Sequence, residues 1–261
     1  MGQLIKRRRG IFIGDIHFPF HHKTVFPLAL YLVLKGNYDY VCQVGDLYDW
    51  YSASKFPRSF NAFTPKHEKQ WSRYYDEMFW GFVHTHLPNA EKYQIRGNHD
   101  VRPERRIIEK APEFEEDLET AIREHYEFDN VKTIFDAREE LYIDDICIIH
   151  GYYSGTGDKH AIFNLKNVVA GHTHRGNVSF TRHAGHDGGC LWEANAGYLA
   201  DPYSKGLAYS MQRRATRWTW GILPVDEWGP KFIPLHPSMI EKFKDDPLLK
   251  DLLRAFGNYA K

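Results

Sequence analysis

The sequence predicts an α/β fold: a largely parallel sheet first, then a second, hairpin-rich sheet packed on it. Three observations predict it. Short apolar runs rich in β-branched residues recur, each ending abruptly in a polar cluster. Segments of helical period separate the first three runs. Residues 131–149 and 176–235 are rich in β-formers, with turn signals such as Asp144-Asp145 and Asp187-Gly188-Gly189. Near-continuous apolar runs suit strands covered on both faces, and strand–helix–strand alternation suits a parallel sheet.

Taken in order, Ile11-Phe12-Ile13 reads as the first strand and runs into Gly14-Asp15-Ile16-His17. Residues 23–36 read as a helix. Tyr40-Val41-Cys42-Gln43-Val44 is a second strand, ending in Gly45-Asp46. Residues 66–87 are a stronger helix, because Trp71, Tyr74, Tyr75, Met78, Phe79, Phe82 and Val83 recur at three-and-four spacing. Such a stripe reads as core. Tyr93-Gln94-Ile95 runs into Arg96-Gly97-Asn98-His99-Asp100, Ile146-Cys147-Ile148-Ile149 into His150-Gly151, and Val168-Val169-Ala170 into Gly171-His172-Thr173-His174. Residues 51–65 and 102–128 look inserted after polar clusters, where they could overhang a site. The plainer reading of 102–128, charged and helical, is solvated surface. Near the end, Ser238 with Glu241 resembles a capping box. Asp246-Pro247 resembles a cap and first-turn proline for a last helix burying Leu249, Leu252, Leu253 and Phe256. The chain reads as one domain, 1–261, with a helical segment over 238–256.

Lys plus Arg is 34 and Asp plus Glu is 34, so the formal charge is zero. That removes a global pull toward nucleic acid or anionic membrane and leaves room for a local basic groove. Cys42, Cys147 and Cys190 form no CxxC pair, so neither a thiolate metal site nor a disulfide framework is expected. No span approaches membrane length, and the apolar run after the basic stretch Lys6–Arg9 is too short for a signal sequence. The expectation is a soluble, cytoplasmic protein that uses no membrane. Histidine, with 15 copies, is the residue that asks for an explanation.

Ligands of open α/β sheets bind beyond the carboxyl ends of the strands. If the apolar runs are neighbouring strands, their polar clusters meet at one edge. Asp15, His17, Asp46, Asn98, His150, His172 and His174 then gather there, with His99 adjacent. Mixed carboxylate and imidazole donors suit manganese, iron, zinc or nickel better than magnesium or calcium. The set exceeds the needs of one tetrahedral ion. It suits two divalent ions about 3.5–4 Å apart, sharing a carboxylate and a water.

The ordered set Asp15-x-His17, Gly45-Asp46, Gly97-Asn98-His99-Asp100, His150 and Gly171-His172-x-His174 resembles the calcineurin-like metallophosphoesterases over roughly residues 9–200. The resemblance implies a four-layer α/β/β/α sandwich and a metal-dependent phosphoesterase. It implies that Asp15, His17 and His174 hold the first metal, that Asn98, His150 and His172 hold the second, and that Asp46 bridges them. Manganese is favoured by the resemblance alone, with iron, zinc, nickel or magnesium as alternatives. His99 is implied to stabilise the phosphoryl oxygens or protonate the leaving alcohol, with Asp49 orienting it. Arg96 is implied to touch phosphate, and could equally pair with an acid. Two departures stand out: Trp50 where protein phosphatases carry Arg, and Phe18-Pro19-Phe20 after His17 where they carry Gly. Both point away from a dedicated Ser/Thr protein phosphatase, toward the phosphoesterases of phage and bacterial genomes.

The expected activity is therefore phosphodiester hydrolysis on nucleic acid or nucleotides. The alternatives are phosphomonoester hydrolysis and, from a different class, a non-catalytic binding scaffold. His84 and His86 read as surface, His21 and His22 as loop residues, and His183 and His186 as a solvated hairpin loop. Arg213, Arg214 and Arg217 flank a stretch read as a hairpin and offer a basic patch.

Overall fold

Strand pairing divides the described strands between two sheets. The computed structural model describes residues 7–55, 63–153, 157–182, 189–207 and 217–257. Lys6, His183, His186, Arg213, Arg214 and the 56–62 part of the first insertion lie outside them. In the first sheet, β1 (Gly10–Ile13), β2 (Tyr40–Val44), β3 (Glu91–Ile95) and β4 (Lys132–Ile134) run parallel, side by side. The second sheet has the order β5 (Leu141–Ile143), β6 (Ile146–Ile149), β7 (Asn167–Ala170), β9 (Cys190–Asn195), β8 (Asn177–Arg182). Its three middle strands are parallel and its two edges antiparallel.

The sequence placed the hairpin-rich second half in the second sheet, and here the structure differs. Strand β10 (Gly221–Asp226) lies antiparallel against β1 in the first sheet, with β11 (Gly229–Pro230) and β12 (Ile233–Pro234) paired to it. β-propensity marks a segment as strand and does not name its partner.

Side chains alternate in direction along a strand, and the alternation here builds layers. Ile11, Ile13 and Val41 face α1 (Val25–Lys35), α2 (Pro65–His86) and α6 (Pro247–Phe256) in one core cluster. Phe12, Cys42 and Val44 face the other way and pack against Ile146, Ile148 and Val169 of the second sheet. Cys147, Ile149, Val168 and Ala170 point outward from the second sheet onto Ala161 of α5 (Lys159–Asn164). The result is a four-layer α/β/β/α sandwich of two mixed sheets. Among the described residues no helix is long and apolar enough to cross a membrane.

Local chemistry sets the helix limits. Thr64 caps α2 by accepting the His67 N–H, with Pro65 in the first turn. Asp246 caps α6 by accepting the Leu248 N–H, and Leu249, Leu252 and Phe256 are fully buried as expected, while Leu253, also expected in the core, is only half-buried. The Ser238/Glu241 capping box does not form. Pro237–Lys242 is a 3-10 helix capped by the His236 side chain. Residues 102–128 fold as α3 (Arg102–Ile108), a 3-10 turn at Pro112–Phe114 and α4 (Glu115–Tyr126). The solvated-surface reading fails at the end of α4. Tyr126 is buried, accepts the Trp50 Nε1–H at 2.9 Å and donates to the Asp100 carbonyl at 3.2 Å.

Candidate metal centre

The strands end level with one another, Ile13 beside Gln43, Val44 beside Ile95, and Ile149 beside Ala170. Each polar cluster therefore leaves its sheet at the same rim. Backbone bonds lace the loops together. Asp15 N–H donates to Gly45 O at 3.1 Å, His17 N–H to Asp46 O at 3.0 Å, and Gly171 N–H to His150 O at 3.0 Å.

Asp15, His17, Asp46 and His174 bring ligand atoms within 4.8 Å of one another, and so do Asp46, His150 and His172. Asp46 is common to both groups. Asn98 joins the second, its Oδ1 lying 2.7 Å from His172 Nδ1 and 3.1 Å from His150 Nε2. All seven sequence-predicted donors thus meet at one place. Five of them hold left-handed backbone: Asp15 (φ 50°), His17 (55°), Asp46 (49°), His172 (69°) and His174 (58°). Non-glycine residues take this region rarely, at a cost on the order of 1–3 kcal/mol each, and such strain gathers at functional sites.

Orientation is fixed by neighbours that can play only one role. The Val44 carbonyl can only accept, so His150 Nδ1–H donates to it at 2.9 Å and Nε2 faces Asp46 Oδ2 at 3.2 Å. Asp49 Oδ1, fully buried, accepts from His17 Nδ1 at 3.0 Å and from His99 Nδ1 at 2.8 Å. It orients the predicted catalytic histidine and a predicted ligand together. Asp15 accepts the His172 N–H through both oxygens, at 3.1 and 3.2 Å.

The electrostatics are those of a crowded donor set. Burial, reinforced by the Asp46 charge, pushes the Asp15 carboxyl up to about 6. Burial also acts on Asp46, but the His150 and His99 imidazoles outweigh it and hold that carboxyl well below its ordinary range. Burial is likewise overcome at His150, which Asp46 and Asp15 push up to about 10. Burial lowers His172 to about 4 and His174 to about 3. His17 Nε2 and His174 Nε2 face each other at 3.2 Å, and His174 Nδ1 is buried with no bond among the described residues. Facing imidazole nitrogens beside two buried carboxylates are satisfied together by a cation. The nitrogen and oxygen donors fit a divalent metal site.

Arg96 pairs with an acid. Its guanidinium reaches Glu104, the Asp100 carbonyl and the Phe135 carbonyl, and it stacks on Tyr126. The arginine that reaches the site is one the sequence reading missed. Arg102 donates from Nη2 to His99 Nε2 at 2.7 Å and from Nη1 to the Asp49 carbonyl at 2.8 Å. A signal existed. Pro103 marks the first turn of a helix that starts just after the His99 loop, but not the direction that helix takes. Asn195, at the end of β9, donates from its side chain to the Gly171 carbonyl and accepts the Gly197 N–H.

No protein-family model and no curated protein matches the sequence. Solved structures do match. The metallophosphoesterase from Sphaerobacter thermophilus is 14% identical, with 95% of this chain and 98% of that chain covered, at a TM-score of 0.37. Vacuolar Protein Sorting 29 from Cryptosporidium parvum is 15% identical over 88% of this chain and 93% of that one, at 0.43. A Vps29 single mutant from Entamoeba histolytica is 13% identical over 87% and 98%, at 0.40. What the site can do rests on its own donors.

Proposed function

We propose that this protein hydrolyses phosphate esters at a binuclear metal centre, most naturally phosphodiesters of nucleic acid or nucleotides. The observation that carries the reading is Asp46, a carboxylate shared by two donor groups, with His99 held beside it. In this reading Asp15, His17 and His174 hold one divalent ion, Asn98, His150 and His172 the other, and Asp46 both. Bound there, two such ions would neutralise charge on the phosphoryl oxygens and bring the pKa of a water toward neutrality. Manganese is the favoured metal.

The protein's own groups do the rest. Asp46 Oδ1 accepts the His99 N–H at 2.8 Å, which ties the histidine loop to the bridge. Asp49 holds His99 Nδ1–H, so Nε2 is the atom free to act on the ester. Burial keeps His99 below its ordinary pKa, and Arg102 meets Nε2. An incoming phosphoryl group competes for Arg102. Once it has drawn the guanidinium away, the Nε2 lone pair can take up a proton from water and pass it to the leaving oxygen.

The test is the manganese-loaded protein on bis(p-nitrophenyl) phosphate and p-nitrophenyl phosphate. The diester is expected to be the better substrate; preference for the monoester would move the reading to a phosphatase. His99→Ala is expected to keep two metals by elemental analysis and to lose about 10²–10⁴-fold in kcat. Full activity in that variant removes His99 from the chemistry.

A further inference from the structure

A cavity of about 400 Å³ opens beside the metal centre, between Ala53–Lys55 and the helix α3. Asn98, a donor of the second metal group, forms part of its wall. Among the described residues its charged lining is Lys55, Arg102, Arg105, Arg106 and Lys110, with Glu109 as the one carboxylate. Five cations against one anion leave a formal excess of four positive charges in a chain whose net charge is zero.

Part of that charge is already used. Lys55 pairs with Glu109 at 2.6 Å, and Arg106 donates to the Ser54 carbonyl at 3.2 Å. Arg102 is spent on His99 and Asp49. Arg105 and Lys110 have no ion pair among the described residues. A concave site with uncompensated guanidinium and ammonium groups is suited to an anion, and arginine matches phosphate oxygens in pairs. Among the described residues no aromatic side chain lines the cavity, and its polar lining is cationic. Four residues of helix carry the chain from Arg102 to Arg106, about 6 Å along the axis. The cationic lining therefore begins at the predicted reacting group and continues away from it.

We propose, resting on the phosphoesterase reading above, that this cavity is a second anion subsite. It takes a terminal phosphate monoester carried on one arm of the scissile diester. The substrate class is thus a small phosphodiester with a phosphorylated end, recognised through its charge. A phosphate monoester carries about −1.5 to −2 charge at neutral pH, more than any diester phosphate of a polymer. The cavity's size suits such a group and a sugar, within the usual range of small-ligand pockets.

The experiment compares the dinucleotides pTpT and TpT, which differ only in the terminal phosphate. Binding is measured by calorimetry on protein held metal-free in EDTA. Turnover is measured separately with manganese. The wild type is expected to bind pTpT about tenfold more tightly than TpT, with the preference shrinking from about 50 to 200 mM salt. An Arg105→Ala/Arg106→Ala variant with an unchanged circular dichroism spectrum is expected to lose the preference. It is expected to raise KM for pTpT with little change in kcat. Equal binding of the two dinucleotides by the wild type overturns the subsite, and so does a variant that keeps the full preference. A long oligothymidylate without terminal phosphates that binds as tightly as pTpT also overturns it, moving the substrate class to polymer. Turnover of both dinucleotides at equal efficiency sinks the subsite and leaves the phosphoesterase reading standing. Preference in EDTA without any turnover does the reverse.

Discussion

Asp46 can serve two donor groups only because the residue that faces it has no side chain. A Cβ at Gly97 would lie 2.2 Å from Asp46 Oδ1 and 2.4 Å from the Asp46 backbone nitrogen. The carboxylate could swing aside, but the backbone nitrogen could not. Gly97→Ala is therefore expected to fold and to bind fewer than two metals per chain, read by elemental analysis after dialysis. Two metals at undiminished affinity would show that Asp46 is not the bridge. Asp49 works at one remove, orienting His17 and His99 through a single oxygen. Asp49→Asn leaves a group of the same shape but one that can turn an N–H toward those rings. It is expected to cost about 10–100-fold in metal affinity or in kcat, the usual scale for groups that orient ligands. Titrating manganese into the variant, alongside its turnover, separates the two losses. The donor residues were legible in the sequence because each follows an apolar run directly. Arg102 was not, because its approach to His99 depends on the direction α3 takes.

At the scale of the element, α6 shows what the sequence could and could not say. Its cap, its proline and its apolar stripe were all readable. That it packs on α1 and closes over the loop after β1 was not. His21 Nε2–H donates to the Phe256 carbonyl at the end of α6, at 2.9 Å, so the helix fastens the segment that follows Asp15 and His17. Leu252 is fully buried in this contact. Leu252→Ala is expected to cost about 2–5 kcal/mol, the range for emptying a core position, measured by urea unfolding. A loss within experimental error would mean that α6 is not part of the cooperative core. The two α1-to-α2 helices came within a residue or two of their predicted limits, since helical period and caps are local signals. Strands β4 and β10 were assigned to the wrong sheet, since the partner of a strand lies far away in sequence.

For the whole molecule, buried neutral histidine makes folding depend on pH. His21 is fully buried, and burial pulls its pKa down to about 4 from an ordinary 6.5. The unfolded chain then takes up the proton first as pH falls. Its contribution is complete above about 6.5 and is lost progressively as pH drops through 4, on the order of 3 kcal/mol in all. His125, lowered to about 3 by burial, adds in the same direction. The urea midpoint of the wild type is expected to fall between pH 7 and pH 4, and His21→Gln is expected to flatten part of that fall. An identical slope in the variant would remove His21 as a source.

The sequence by itself determined the elements that depend on near neighbours: the strand runs, the long aromatic-striped helix, the capped terminal helix, and the order of the candidate metal donors. It also determined the chemistry of those donors, because residue type fixes which atoms can bind a cation. Only the tertiary structure decided how distant segments were used. It gave β10 to the first sheet, turned Arg96 toward Glu104, buried Tyr126 and His21, and set the arginines of α3 around a cavity beside Asn98. Each of these depends on contacts between residues far apart in the chain. No local propensity encodes such contacts, because they follow from how whole layers pack.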